Sequence, residues 1–175
     1  MQLTSLYLHS MISFYNHVKD LSGTPPAMYL EPFERYASYF TCRLDFGRQT
    51  GKTTAAAQMV VELLEKDCYV VYLTHNYQMA REAKERITRQ AKHYQGIHNV
   101  NTNNVYYGAV RNWLSYNRHD RHWRGRSFDR VVFIIDEPLA PVDMAKIHAN
   151  YRDNILDDVS VITNKDPLFY VIGMQ

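Results

Sequence analysis

Two short apolar runs constrain this chain most. Val131-Val132-Phe133-Ile134-Ile135 and Tyr69-Val70-Val71-Tyr72-Leu73 contain no charged side chain. A strand with one face in water alternates apolar and polar residues, so runs like these predict strands buried on both faces. Around them the period changes. Thr53 to Lys66 is rich in Ala and Leu at helical spacing, Gln78 to Tyr94 is helical again, and Tyr39 to Phe46 alternates Phe40, Cys42, Leu44 and Phe46 as a strand does. The order strand, helix, strand, helix predicts an α/β fold of three layers, a mainly parallel sheet with helices on its faces.

The remaining segments fit that plan. Leu3 to Leu21 places Leu3, Leu6, Tyr7, Phe14, Val18 and Leu21 at helical spacing, and Ser22-Gly23-Thr24-Pro25-Pro26 ends it. This predicts a helical arm over residues 1–22, a linker-like stretch over 22–27 and one domain over 28–175. A short helix is expected from Glu31 to Ser38, a turn at Asn99 to Asn104, a strand at Val105 to Tyr107, a helix around Met144 to Leu156 and a last strand at Leu168 to Ile172.

Composition sets limits on function. With 175 residues, 46% hydrophobic and 22% charged, the chain has room for one folded domain. A two-lobed helicase or an ATPase fused to a nuclease needs two or three times as much. No apolar run approaches the roughly 18 to 20 residues of a membrane span, and no basic-then-apolar leader stands at the start. The expectation is a soluble protein of the cytoplasm, the host's if the chain is viral, with no membrane partner. Cys42 and Cys68 lack a Cys-x-x-Cys grouping, which fits reduced, structural thiols. The eight histidines are scattered; His119 and His122 are three apart, with no evident third metal ligand.

The chemistry concentrates in Gly47-Arg48-Gln49-Thr50-Gly51-Lys52-Thr53-Thr54, between a predicted strand and a predicted helix. A triphosphate needs backbone N–H groups turned inward, which a glycine-containing loop permits, and it gains from the positive end of the following helix. Lys52 reaches the β- and γ-phosphates in this reading, and the Thr53 hydroxyl takes Mg²⁺. The usual pattern G-x-x-x-x-G-K-[ST] puts its first glycine where Phe46 stands; here glycine comes one place later. The other half of a nucleotide site is an acid ending a buried strand. Asp136-Glu137 follows the 131–135 run, with Asp136 in the magnesium shell and Glu137 as the base that polarises the attacking water. A water-activating base favours hydrolysis over transfer to a small molecule.

Taken together, these residues resemble the ATPase domain of the large terminase subunit, the DNA-packaging motor of tailed bacteriophages. That family often carries Arg-Gln-x-Gly-Lys-[ST], which Arg48-Gln49-Thr50-Gly51-Lys52-Thr53-Thr54 matches, so the late glycine becomes a point of agreement. Val71 to Ala80 and Gly125-Arg126-Ser127-Phe128 look similar too, and order and spacing agree over about residues 30–140. The resemblance implies a P-loop ATPase fold with an additional strand between the lysine strand and the acidic strand. It implies catalytic roles for Glu137, Lys52 and Arg48, the last on the γ-phosphate, with ATP and Mg²⁺ as cofactors. An adenine-contacting element would precede the first strand, where Phe33 and Tyr36 stand; core packing is the other reading of those rings. The sequence departs from the family where hydrolysis is coupled to movement: Tyr170-Val171-Ile172-Gly173-Met174-Gln175 looks more like a helicase-type ending than a Thr/Ser-rich one. Nothing here supplies a nuclease domain.

Between Arg111 and Arg126 lie Arg111, Arg118, Arg121, Arg124 and Arg126 with Trp113, Tyr116 and Trp123 interleaved. Arginines neutralise phosphates and aromatic faces stack on bases, so Arg111, Arg118, Arg121, Trp123, Arg124 and Arg126 are the nucleic-acid candidates; a solvated surface loop is the competing reading. The formal charge of +2 is balanced elsewhere by acids. Two functions follow as expectations. One is a DNA-coupled ATPase of phage packaging or replication, acting as a homo-oligomer or with other phage proteins. The other is a nucleotide-binding regulatory module that engages a phage or host protein without moving DNA.

Overall fold

The apolar runs become the middle of a parallel sheet. The computed structural model describes residues 3–21, 29–47, 51–94, 100–115, 126–136, 140–156, 163 and 165–173. In chain order they form α1 (Thr4–Leu21), α2 (Pro32–Tyr39), β1 (Thr41–Leu44), α3 (Lys52–Glu65), β2 (Tyr69–Thr74), α4 (Tyr77–Tyr94), a 3₁₀ turn (Thr102–Asn104), β3 (Val105–Ala109), α5 (Val110–Ser115), β4 (Val131–Asp136), α6 (Pro141–Asn154) and β5 (Leu168–Ile172). The expected elements lie within three residues of these bounds. Helix α5 was not anticipated, because six residues are too few to show a helical period against the basic stretch that follows.

All five strands are parallel, in the order β1-β5-β4-β2-β3. Strand β5 therefore lies between β1 and β4, and β3 forms an edge. Every residue of β2, β4 and β5 is buried. Alternation within each strand explains why. In β4, Val132 and Ile134 point into a core shared with α1, α3 and α4, while Val131, Phe133 and Ile135 point into a second core beneath α2, α5 and α6.

Helix α1 is built into the first core by Tyr7, Met11, Tyr15 and Val18. The Tyr170 hydroxyl of β5 donates to the Met11 carbonyl at 3.0 Å, tying the helix to the sheet. Trp113, from the basic stretch, is only 2% exposed. Its ring lies 5.5 Å from Phe133 and 5.5 Å from Tyr106, so it is a core residue with no face left for a base. Cys42 and Cys68 are free thiols, each pushed up to about 11 chiefly by burial, and so stay protonated.

A ring cluster fills the second core. His148 of α6 meets Phe169 at 4.6 Å and Phe33 at 5.9 Å. Tyr36 is wholly buried against His148, Tyr151 and Phe169, which settles its role as packing. The Thr41 hydroxyl donates to the Tyr36 carbonyl at 2.9 Å, so its oxygen accepts from His148 Nε2 at 3.0 Å. Burial first, and the Arg43 charge second, push the imidazole down to about 4. Between that value and the ordinary 6.5 the unfolded chain binds a proton the folded one refuses. The contribution is therefore complete above pH 6.5 and fades as pH falls, by about 2 to 3 kcal/mol near pH 4. Urea unfolding of wild type and His148→Gln checks this. The stability gap between them should narrow from pH 7 to pH 4.5; a constant gap contradicts the neutral, buried imidazole.

Candidate functional site

Parallel strands put their carboxyl ends on one edge of the sheet, which is where open α/β sheets bind ligands. The segment leaving β1 carries Gly47 and leads to Gly51 at the start of α3, and β4 ends on Asp136. Arg48, Gln49, Thr50 and Glu137 lie outside the described residues.

Two glycines shape the loop. Gly47 has φ +95°, with its N–H donating to Asp45 Oδ1 at 2.9 Å, and an added Cβ there would meet nothing within 4 Å; only the backbone angle asks for glycine. Phe46, where the usual pattern has glycine, is pinned instead. Its N–H donates to the Tyr7 hydroxyl at 2.6 Å, and its ring meets that of Tyr7 at 4.6 Å. The departure from the common pattern thus has a physical reason: helix α1 holds this end of the loop by a side chain, and the positive φ moves one residue on. Gly51 caps α3 with φ +85°.

Helix α3 packs into the first core, with Ala55, Ala56 and Ala57 buried in its opening turns. Its first turn brings Thr53 to Asp136. Asp136 is 8% exposed, and burial raises its carboxyl above the usual range. Four neighbours oppose the rise: hydrogen bonds from Thr53 and Tyr72, and the charges of Lys52 and Arg86. Tyr72 donates to Asp136 Oδ2 at 3.0 Å. Arg86 of α4 donates from Nη1 to Thr54 Oγ1 at 3.1 Å. The candidates Lys52, Thr53, Thr54 and Asp136 therefore converge. Tyr72 and Arg86 belong with them and were missed, since a tyrosine in an apolar run reads as core and an arginine on an amphipathic helix reads as surface. The parity of β2 against β4 held a signal, because Tyr72 and Asp136 lie on the same sheet face.

Of the nucleic-acid candidates, Arg111 is exposed on α5. Arg126 is committed to the chain itself, donating from Nη1 to the Asn103 carbonyl at 2.7 Å and to Asn104 Oδ1 at 3.4 Å. Arg118, Arg121, Trp123 and Arg124 lie outside the described residues.

A Cβ added at Gly51 would come 2.0 Å from Thr4 Oγ1 on α1. Gly51→Ala thus suffers twice, from a positive φ and from a clash, for a loss of about 1 to 3 kcal/mol. Thr4→Ala in the same chain should recover the steric part and leave the backbone part. A double-mutant cycle by urea unfolding measures this, and simple additivity of the two changes would contradict the contact.

No protein-family model matches the chain, and no solved structure matches it. Over 184 aligned residues, covering 99% of this chain and 80% of the relative, it is 30% identical to the "Uncharacterized 25.0 kDa protein in regB-denV intergenic region" of Enterobacteria phage T4. The alignment takes in the arm, the loop and the acidic strand alike. The chain belongs to the family of this phage T4 protein.

Proposed function

We propose that the chain is a magnesium-dependent ATP hydrolase of the P-loop type, similar to the ATPase domain of the phage large terminase subunit, with turnover coupled to DNA. The observation that carries the reading is the contact of Thr53 with Asp136. It joins a hydroxyl at the start of a helix, directly after Gly-Lys, to a carboxylate ending a buried strand, with one strand inserted between the two parent strands. The phage relative supports the setting.

The residues fit magnesium. A buried carboxylate whose pKa is raised by desolvation gains from a cation, and Thr53 adds a second oxygen beside it. Bound with ATP, magnesium supplies positive charge to the phosphate oxygens. The chain's own groups do the rest. Lys52 and the N–H groups at the start of α3 hold phosphate oxygens. Tyr72 orients the Asp136 carboxylate. Glu137 takes the proton of the attacking water, and Arg48 offsets charge gathering on the γ-phosphate.

Phosphate release with MgATP, with and without DNA, tests this. Wild type should turn over, and Glu137→Gln should keep ATP binding while losing about 10²- to 10⁴-fold in kcat. Full activity in that variant would sink the assigned base. ATP bound without turnover in wild type, with and without DNA, would favour the nucleotide-binding module instead.

A further inference from the structure

Helix α4 carries Arg81, Lys84, Arg86, Arg89 and Lys92 against Glu82 and Glu85. That is a surplus of three positive charges on 18 residues, whereas the entire chain has a surplus of two. The rest of the molecule is thus slightly acidic in sum, and α4 is, beside the Arg111 to Arg126 stretch, one of two segments where positive charge gathers. Arg86 is turned to Thr54. The other four cations, with Glu85 and Thr88, line a shallow open groove of about 670 Å³ formed by side chains of α4 alone.

Arg81, Lys84, Thr88 and Lys92 recur at spacings of three and four, so they form one row. Eleven residues separate its ends, about 16 Å at 1.5 Å per residue. Glu85 interrupts the row and meets Arg81 at 3.5 Å, but the two side chains are 82% and 62% exposed. Such a pair is worth little and yields readily to a phosphate. A row of charges on the outer face of an amphipathic helix is by itself ordinary. What sets this one apart is where it leads.

Through Arg81 and Lys84 the groove runs into a pocket of about 380 Å³ beside β3, the edge strand, where Tyr77, Tyr106 and Tyr107 contribute to the lining. Tyr77 is 61% exposed, an unusual place for a ring with no structural duty. Lys84 Nζ stands 5.9 Å from the centre of the Tyr107 ring. Cations that track phosphates beside aromatic faces that stack on bases are the two parts of a single-strand site. A duplex keeps its bases paired and has none to offer Tyr77.

We propose that this groove binds single-stranded nucleic acid, with phosphates along Arg81, Lys84, Arg89 and Lys92 and an unpaired base in the tyrosine-lined pocket beside β3. Of the Arg111 to Arg126 stretch, Arg126 also lines the pocket beside β3, and binding along α4 requires neither ATP nor magnesium.

Fluorescence anisotropy with labelled 12-nucleotide oligo-dT and oligo-U, without nucleotide or magnesium, tests the proposal at 50 and 200 mM salt. Four phosphate contacts predict an affinity loss of about 50-fold over that range. Combined Arg81→Gln, Lys84→Gln and Lys92→Gln should flatten the logarithmic salt slope by about two. Tyr77→Ala should weaken binding about ten-fold at both salts, with an unchanged melting curve. Failure of both oligonucleotides to bind overturns the proposal; binding of either supports it and names the strand. Equal affinity for a hairpin duplex would overturn the single-strand assignment. Loss of binding in combined Arg118→Gln, Arg121→Gln and Arg124→Gln, with the α4 variants unaffected, would move the site to the other stretch.

Discussion

The carboxylate of Asp136 is buried at the end of β4, and a buried charge without partners costs several kcal/mol. Much of the architecture serves to supply those partners. Tyr72 comes from the neighbouring strand β2, Thr53 from the first turn of α3, and the charges of Lys52 and Arg86 from two helices on the same face. Thr53 is in reach because it stands in the first turn of α3, a helix buried in the first core from Ala55 onward. The start of α3 is in turn fixed by α1, whose Thr4 abuts Gly51 and whose Tyr7 holds Phe46. The helical arm therefore packs against Phe46 and Gly51, on either side of the segment between β1 and α3, and a disturbance at Tyr7 or Thr4 should be felt at Asp136.

The layered fold could be read from residue order, because a strand buried on both faces has an unmistakable composition. Val131 to Ile135 and Leu168 to Ile172 are apolar at nearly every position, and the helices between strands have their own period. Strand order was not readable from periodicity, since pairing is decided by how helices cover the faces. The family resemblance implied an additional strand between the lysine strand and the acidic strand without saying which; that it is β5 is a property of the folded sheet. The convergence of Lys52, Thr53 and Asp136 was legible because the pattern expected of a phosphate site restricts both residue type and spacing. Tyr72 and Arg86 were not, as each acts through a neighbour 64 or 32 positions away. Trp113 misled in the opposite sense. Its basic neighbours suggested a surface stacking ring, but the short helix α5 turns it into the second core.

Charge is organised as unevenly as polarity. The near-neutral total conceals a cationic helix on the side of the sheet that also carries α3, and Arg86 joins the two, since it sits on that helix and reaches Thr54. If a strand of nucleic acid lies along α4, its binding and the state of the loop share a structural element. The proposed coupling of hydrolysis to DNA would then have a physical route through one helix.

The central claim is that Lys52, Thr53 and Asp136 form a nucleotide site, and calorimetric titration of MgATP tests it most directly. Wild type should bind one equivalent saturably, Lys52→Ala should lose at least ten-fold in affinity, and Asp136→Asn should bind ATP with its dependence on magnesium weakened. Absence of binding to wild type, or equal affinity in all three proteins, would contradict the account.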